Sequence, residues 1–167
     1  MITTQELIEL YFKNNLPAGL EQLMTSNKVI VHIAILYNAR TNKILSYAVN
    51  KKISSYDKVI EKRVTIHAEQ ELLIKLKHQM KLPKNELRGK IILFSLRINR
   101  QGDIGQSRPC CSCSKMLLKH CSFLSEIIYV DETINLCSIK LDELCRDAKY
   151  SGRVRERTLV LQNKNVF

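Results

Sequence analysis

Two short clusters constrain this chain more than anything else in it: His67-Ala68-Glu69, and Pro109-Cys110-Cys111-Ser112-Cys113. Each opens a segment that reads as a helix, and an Ile/Leu-rich run, Lys90 to Ile98, lies between them as a central-strand candidate. For the two clusters to act together, the fold has to bring two helix starts to one place across a strand.

The elements follow in order around those clusters. Residues 4–24 carry Leu7, Leu10, Tyr11, Leu20 and Leu23 at helical spacing, with Pro17 and Gly19 marking a break in one helix or a divide between two. Lys28 to Tyr37 is rich in Val and Ile, and with Lys43 to Val49 it predicts a hairpin over residues 28–50. A polar stretch runs from Lys51 to Arg63. The spacing of Leu72, Leu73, Leu76 and Met80 predicts a helix from about Ile66 to Lys81, with Thr65 as N-cap and Pro83 as its end. After the loop 99–106, Pro109 suits the first position of a helix from Cys110 to about Cys121. Glu126 to Val130 and Ile134 to Ile139 are strands joined by Asp131-Glu132-Thr133, a turn too short for anything but an antiparallel return. Leu141 to Ala148 reads as a short helix and Arg157 to Leu161 as an extended segment.

That order predicts a three-layer α/β/α sandwich with one mixed sheet of about five strands, the last two antiparallel. With 167 residues, 45% of them hydrophobic, the chain is long enough to bury one core. The expected organisation is a single domain over 1–167, with an N-terminal helical segment 4–24, a core 28–140 and a basic extension 141–167. The longest apolar run, Val29 to Tyr37, falls well short of the roughly twenty residues of a membrane helix. With Glu6 and Glu9 near the start and no basic region followed by an apolar block, a cytoplasmic or nuclear location is expected. Six cysteines in such a chain read as metal ligands or reduced core residues rather than as a disulfide framework.

Zinc requires donors that converge from separate parts of the chain. Cys110 and Cys113, three apart at a helix start, put their sulfurs on one face near the positive end of the helix dipole, which favours thiolates. Cys111 is turned by about 100° and is the poorer ligand. His67 supplies a third donor, leaving one coordination position for water, whose pKa bound zinc lowers toward neutrality. Glu69, two residues beyond His67, is placed to carry a proton from that water to a leaving amine. Each half alone has a blander reading: an ordinary helix start for the first, a redox pair or half a structural knuckle for the second. Cys137 and Cys145 are poorly spaced to complete a four-cysteine site, and Cys121, Cys137 and Cys145 are expected to pack as small hydrophobes. His32, His78 and His120 read as core or surface residues rather than ligands.

Together the halves match the zinc-deaminase signature His-x-Glu followed by Pro-Cys-x-x-Cys, and over most of residues 28–140 the chain resembles the cytidine deaminase-like superfamily of zinc hydrolases. The resemblance implies a central sheet with one zinc per chain on His67, Cys110 and Cys113, and Glu69 as proton shuttle. It also implies substrate contacts at Asn50, which ends Tyr47-Ala48-Val49-Asn50, and at Ala68. The stretch Arg97-Ile98-Asn99, Gly102 and Ser107-Arg108-Pro109-Cys110 is similar to a little-characterised branch found in viruses and microbial eukaryotes. Many members carry Glu or Ser directly before Pro-Cys where this chain has Arg108. A guanidinium there suits a phosphate, which adds Arg108 and its neighbour Ser107 to the expected substrate contacts. Small members of the superfamily often oligomerise to close their sites, so a homo-oligomer is also implied.

Charge bears on the substrate. The chain has 27 Lys+Arg and 16 Asp+Glu, a formal net charge of +11, and ten of the basic residues lie within 61–100. A surplus of this size favours an anionic partner, although a lysine-rich solvated surface accounts for the same numbers. Single-stranded nucleic acid, with cytosine converted to uracil, is the expected substrate. Arg146, Lys149, Arg153, Arg155 and Arg157 would serve its phosphates, and Tyr47, Tyr56 and Tyr129 are candidate stacking faces. Free cytidine or deoxycytidylate is the alternative; by the resemblance, an antiparallel final turn belongs to the cytidine and blasticidin deaminases and some editing and toxin branches, and a fifth strand at Arg157 to Leu161 would reverse that argument. A catalytically silent binding or assembly subunit is the third reading, disfavoured because all four chemical groups are retained.

Overall fold

The structure is a computed structural model that describes residues 4–12, 15–25, 30–53, 64–78, 82–83 and 85–147. Its strands are β1 (Val31–Asn38), β2 (Lys43–Val49), β3 (Lys51–Ile53), β4 (Val64–Ile66), β5 (Ile91–Ile98), β6 (Ile104–Gly105), β7 (Glu126–Val130) and β8 (Leu136–Ile139). Its α-helices are α1 (Thr4–Leu7), α2 (Ala18–Thr25), α3 (Ala68–His78), α4 (Cys111–His120) and α5 (Leu141–Asp147), and α1 runs on into a π-helical turn over Ile8–Phe12.

The main sheet has the order β2-β1-β5-β7-β8, with the short β6 also on β5. β5 and β7 are parallel, and the other pairings are antiparallel, including β7 with β8. The mixed sheet therefore follows the expected pattern, with β6 as an addition. Strand alternation sorts the side chains onto two faces. Ile33, Ile35, Phe94, Leu96 and Val130 meet Leu7, Phe12, Leu20 and Met24 of the N-terminal helices. Ala34, Leu36, Leu93, Ile127 and Tyr129 meet Leu72, Leu73, Leu117 and Leu144 of α3, α4 and α5. Helices thus cover both faces. Burying a Leu- or Phe-sized side chain stabilises by roughly 1.5–3 kcal/mol, and the core is made of many such residues.

The N-terminal segment is the divided pair that the break at Pro17 allowed, because Pro17 cannot continue a helix from the preceding turn. Its carbonyl instead accepts the first bonds of α2, from Leu20 and Glu21. Thr65 lies in β4, and α3 starts two residues later than expected, with His67 at its N-cap position. There Gln70 Oε1 accepts the His67 backbone N–H at 3.1 Å, the reciprocal half of a capping box. Pro109 stands one place before the N-cap, which is Cys110 in extended conformation at φ −71°, ψ 164°. β3, at the start of the stretch expected to be merely polar, pairs antiparallel with β4, which follows that stretch, with Lys51 opposite Ile66. The extended segment Arg157 to Leu161 and the basic residues from Lys149 onward lie outside the described residues, as does Tyr56.

The loop after β5 is pinned by its own side chains. Asn99 Oδ1 accepts the backbone N–H of Gln101 and Asp103, and Gly102 takes φ +85°, a region that favours glycine. The chain then returns antiparallel along the end of β5 as β6, bringing Ser107 back beside Ser95.

Candidate metal centre

Two helix starts face each other. His67 precedes α3 and Cys110 precedes α4, and His67 Nδ1 lies 3.5 Å from Cys110 Sγ and 3.3 Å from Cys113 Sγ. The three donor atoms all fall within 4.8 Å of one another, a group that could hold a metal ion. Bond lengths of about 2.0 Å to nitrogen and about 2.3 Å to sulfur set the N···S edge of a tetrahedral site at about 3.5 Å, so the spacing fits. Among the described residues no other group of this kind forms. Cys111 is buried and outside it, as the helical rotation requires.

The sulfurs are electrostatically unequal. Cys113 is fully buried, and its hydrogen bond to Cys110, burial and the adjacent Glu69 carboxylate all push its thiol well up. Cys110 is lowered to about 4, chiefly by the bond from Cys113 and further by His67. A metal ligand needs the thiolate, so the burial that pushes Cys113 up opposes the form a metal would require.

Glu69, in the first turn of α3, is completely buried. Its Oε1 lies 2.9 Å from the Ser95 hydroxyl and 3.7 Å from His32 Nε2. Its Oε2 is buried with no hydrogen-bond partner that meets the geometry, and a buried polar atom of this kind calls for an explanation. His32 and Ser95 carry no sequence signal of a place in this site. Neither breaks its strand's apolar pattern in a way that signals function, and only the β1–β5 register brings them together, Nε2 to Oγ 3.1 Å.

The expected substrate contacts fall differently. Asn50 accepts the His32 backbone N–H on Oδ1 at 3.0 Å, which fixes its side chain while Nδ2 keeps its two donors. The β3–β4 register puts Asn50 and His67 at the next positions after Lys51 and Ile66, so that ladder ties the end of β2 to the start of α3. Ala68 is fully buried among the core residues under α3. Ser107 is buried and joined to the scaffold: its hydroxyl donates to Ser95 O at 2.6 Å and accepts from Val130 N–H at 2.9 Å. Arg108 is half-buried, with its guanidinium 5.6 Å from the centre of the Tyr129 ring. Arg97, for which the spacing of the sequence gives no role, is exposed and is the cross-strand neighbour of His32.

Of the candidate stacking faces, Tyr129 is buried with Arg108 over it, and Tyr47 carries Lys75 Nζ at 5.4 Å from its centroid. Arg146 lies in the last turn of α5. Among the described residues no helix is long and apolar enough to cross a membrane. A scan against protein-family models finds no match, and a search of curated proteins finds none at a significant level.

Proposed function

We propose that the chain is a zinc-dependent nucleobase deaminase of the cytidine deaminase-like type, converting cytosine to uracil by hydrolysis. The observation that carries the reading is the unpartnered Oε2 of Glu69, buried beside Cys113 in a cluster of one imidazole and two sulfurs. Held by His67, Cys110 and Cys113, zinc supplies Lewis acidity that brings the pKa of water toward neutrality. Glu69 Oε2 carries the two protons of the attacking water in turn, the first to the ring nitrogen and the second to the departing amine. A C–O bond forms, the exocyclic C–N bond breaks, and ammonia leaves. Asn50, held by His32, offers its Nδ2 donors to the base or sugar.

Single-stranded nucleic acid is the proposed carrier of the base, supported by the basic surplus and by exposed Arg97 and Arg100 at the end of β5. A second reading, free cytidine or deoxycytidylate, is favoured by the occupied faces of Tyr47 and Tyr129, which leave less aromatic surface for stacking bases.

The test offers zinc-loaded protein cytidine, deoxycytidylate, and single-stranded DNA and RNA, and follows ammonia and uracil. Release of ammonia from none of them sinks the deaminase reading. Affinity for a polynucleotide that falls steeply with added salt supports the first carrier, and a flat salt response moves the assignment to the second.

A further inference from the structure

Ser95 is a fully buried hydroxyl between Phe94 and Leu96 in the middle of β5, and a buried polar group there calls for partners. It has three. Glu69 Oε1 lies at 2.9 Å, Ser107 O at 2.7 Å and His32 Nε2 at 3.1 Å. A hydroxyl carries one hydrogen and two lone pairs, whereas a carboxylate and a carbonyl only accept. The Ser95 hydrogen goes to the Glu69 carboxylate, a charged and therefore stronger acceptor than the Ser107 carbonyl, and none remains for the ring. His32 Nε2 must carry its own hydrogen and donate it to Ser95 Oγ.

His32 is in turn held from behind, since its backbone exchanges bonds with Asn50, N–H to Oδ1 at 3.0 Å and O from Asn50 N at 2.9 Å. The side chains of Ser95 and His32 approach the same carboxylate oxygen. Oε1 is gripped from the sheet, and Oε2 is the oxygen left for chemistry.

We infer that Ser95 and His32 are positioning residues that hold Glu69 by Oε1 and thereby select Oε2 as the working oxygen, with His32 fixed in its Nε2–H form. The kinetic part of this inference rests on the deaminase reading, while the hydrogen-bond part does not.

The experiment uses the zinc-loaded full chain. Nitrogen NMR of the His32 ring should show the hydrogen on Nε2 in the unmutated protein, and Ser95→Ala should shift those ring signals while zinc content stays at one per chain. Ser95→Ala should lower kcat about 10- to 100-fold, the usual effect of removing an outer-shell partner, with KM within about twofold. Ser95→Thr, which keeps the hydroxyl, should restore kcat. A His32 ring carrying its hydrogen on Nδ1 overturns the inference without any variant. So does Ser95→Ala protein with unchanged ring signals and kcat, or one whose only defect is lost zinc. Unmutated protein that releases no ammonia from any base fails the deaminase reading alone, since the ring signals still decide the positioning role.

Discussion

Ser107 reaches back across the loop that follows β5 and donates its hydroxyl hydrogen to the Ser95 carbonyl at 2.6 Å. The same hydroxyl accepts from Val130 N–H at 2.9 Å, and Ser107 N–H donates to Val130 O at 2.9 Å. One side chain thus closes the gap between β5 and β7 beyond their parallel pairing, immediately before the chain enters Pro109-Cys110. Ser107→Ala leaves a carbonyl and an amide buried without that partner, at roughly 1–3 kcal/mol for an unsatisfied group. The expected outcome is a lower midpoint in chemical denaturation, together with weaker metal affinity in a competition titration, because the loop also places Cys110.

The metal centre makes the sharpest compositional prediction. Purified chain should carry about one zinc by elemental analysis, and Cys113→Ala or Cys110→Ala should remove most of it, since two donors cannot replace three. Glu69→Ala should keep the metal and abolish ammonia release, with rate losses of at least about 10²-fold for the loss of a proton carrier. Metal-free protein that folds and remains active would contradict the assignment.

Thiol accessibility should separate the cysteines by environment. Cys121 is buried and its thiol is pushed up to about 12 by burial, so it should resist alkylation at neutral pH as long as the protein is folded. Cys110 is half-buried and should react in metal-free protein but be protected when zinc is added. Mass spectrometry of labelled peptides reads both outcomes in one experiment.

A pH effect follows from the turn between β7 and β8. Asp131 Oδ1 accepts bonds from Asn135 N–H, Thr133 N–H and the Thr133 hydroxyl. These bonds, led by that of Asn135, hold the carboxyl down from its ordinary 3.8 to about 2. A depressed folded-state pKa contributes stability that is present above the unfolded value and disappears as pH falls through the folded one. Asp131→Asn should therefore be less stable than the parent above about pH 4, with the difference closing between about pH 4 and 2. Urea denaturation at a series of pH values measures it, and a constant gap across that window would mean that these hydrogen bonds do not hold the carboxyl down.

The two helix-start clusters were legible because their chemistry is local. A histidine with a glutamate two residues on, and a proline before two cysteines three apart, state a donor set whose members need only a shared location. The hairpin of β1 with β2 and the antiparallel β7–β8 pair were legible for a similar reason, since short turns leave the chain one way to return. By contrast, β3 and β4 are three-residue strands, with no alternation long enough to register, yet their ladder ties the end of β2 to the start of α3.

By itself, then, the amino-acid sequence pointed to His67, Cys110 and Cys113 as a candidate donor set, to Glu69 beside them, and to the alternation that builds the sheet around them. Only the tertiary structure decided what stands behind Glu69. His32 and Ser95 are 63 residues apart, one in β1 and the other in β5, and they meet through the register of those strands. A one-residue slip of that register would turn the side chains of one strand to the other face. Such a contact leaves no mark in local spacing, because the pairing of strands is selected by packing over the whole sheet.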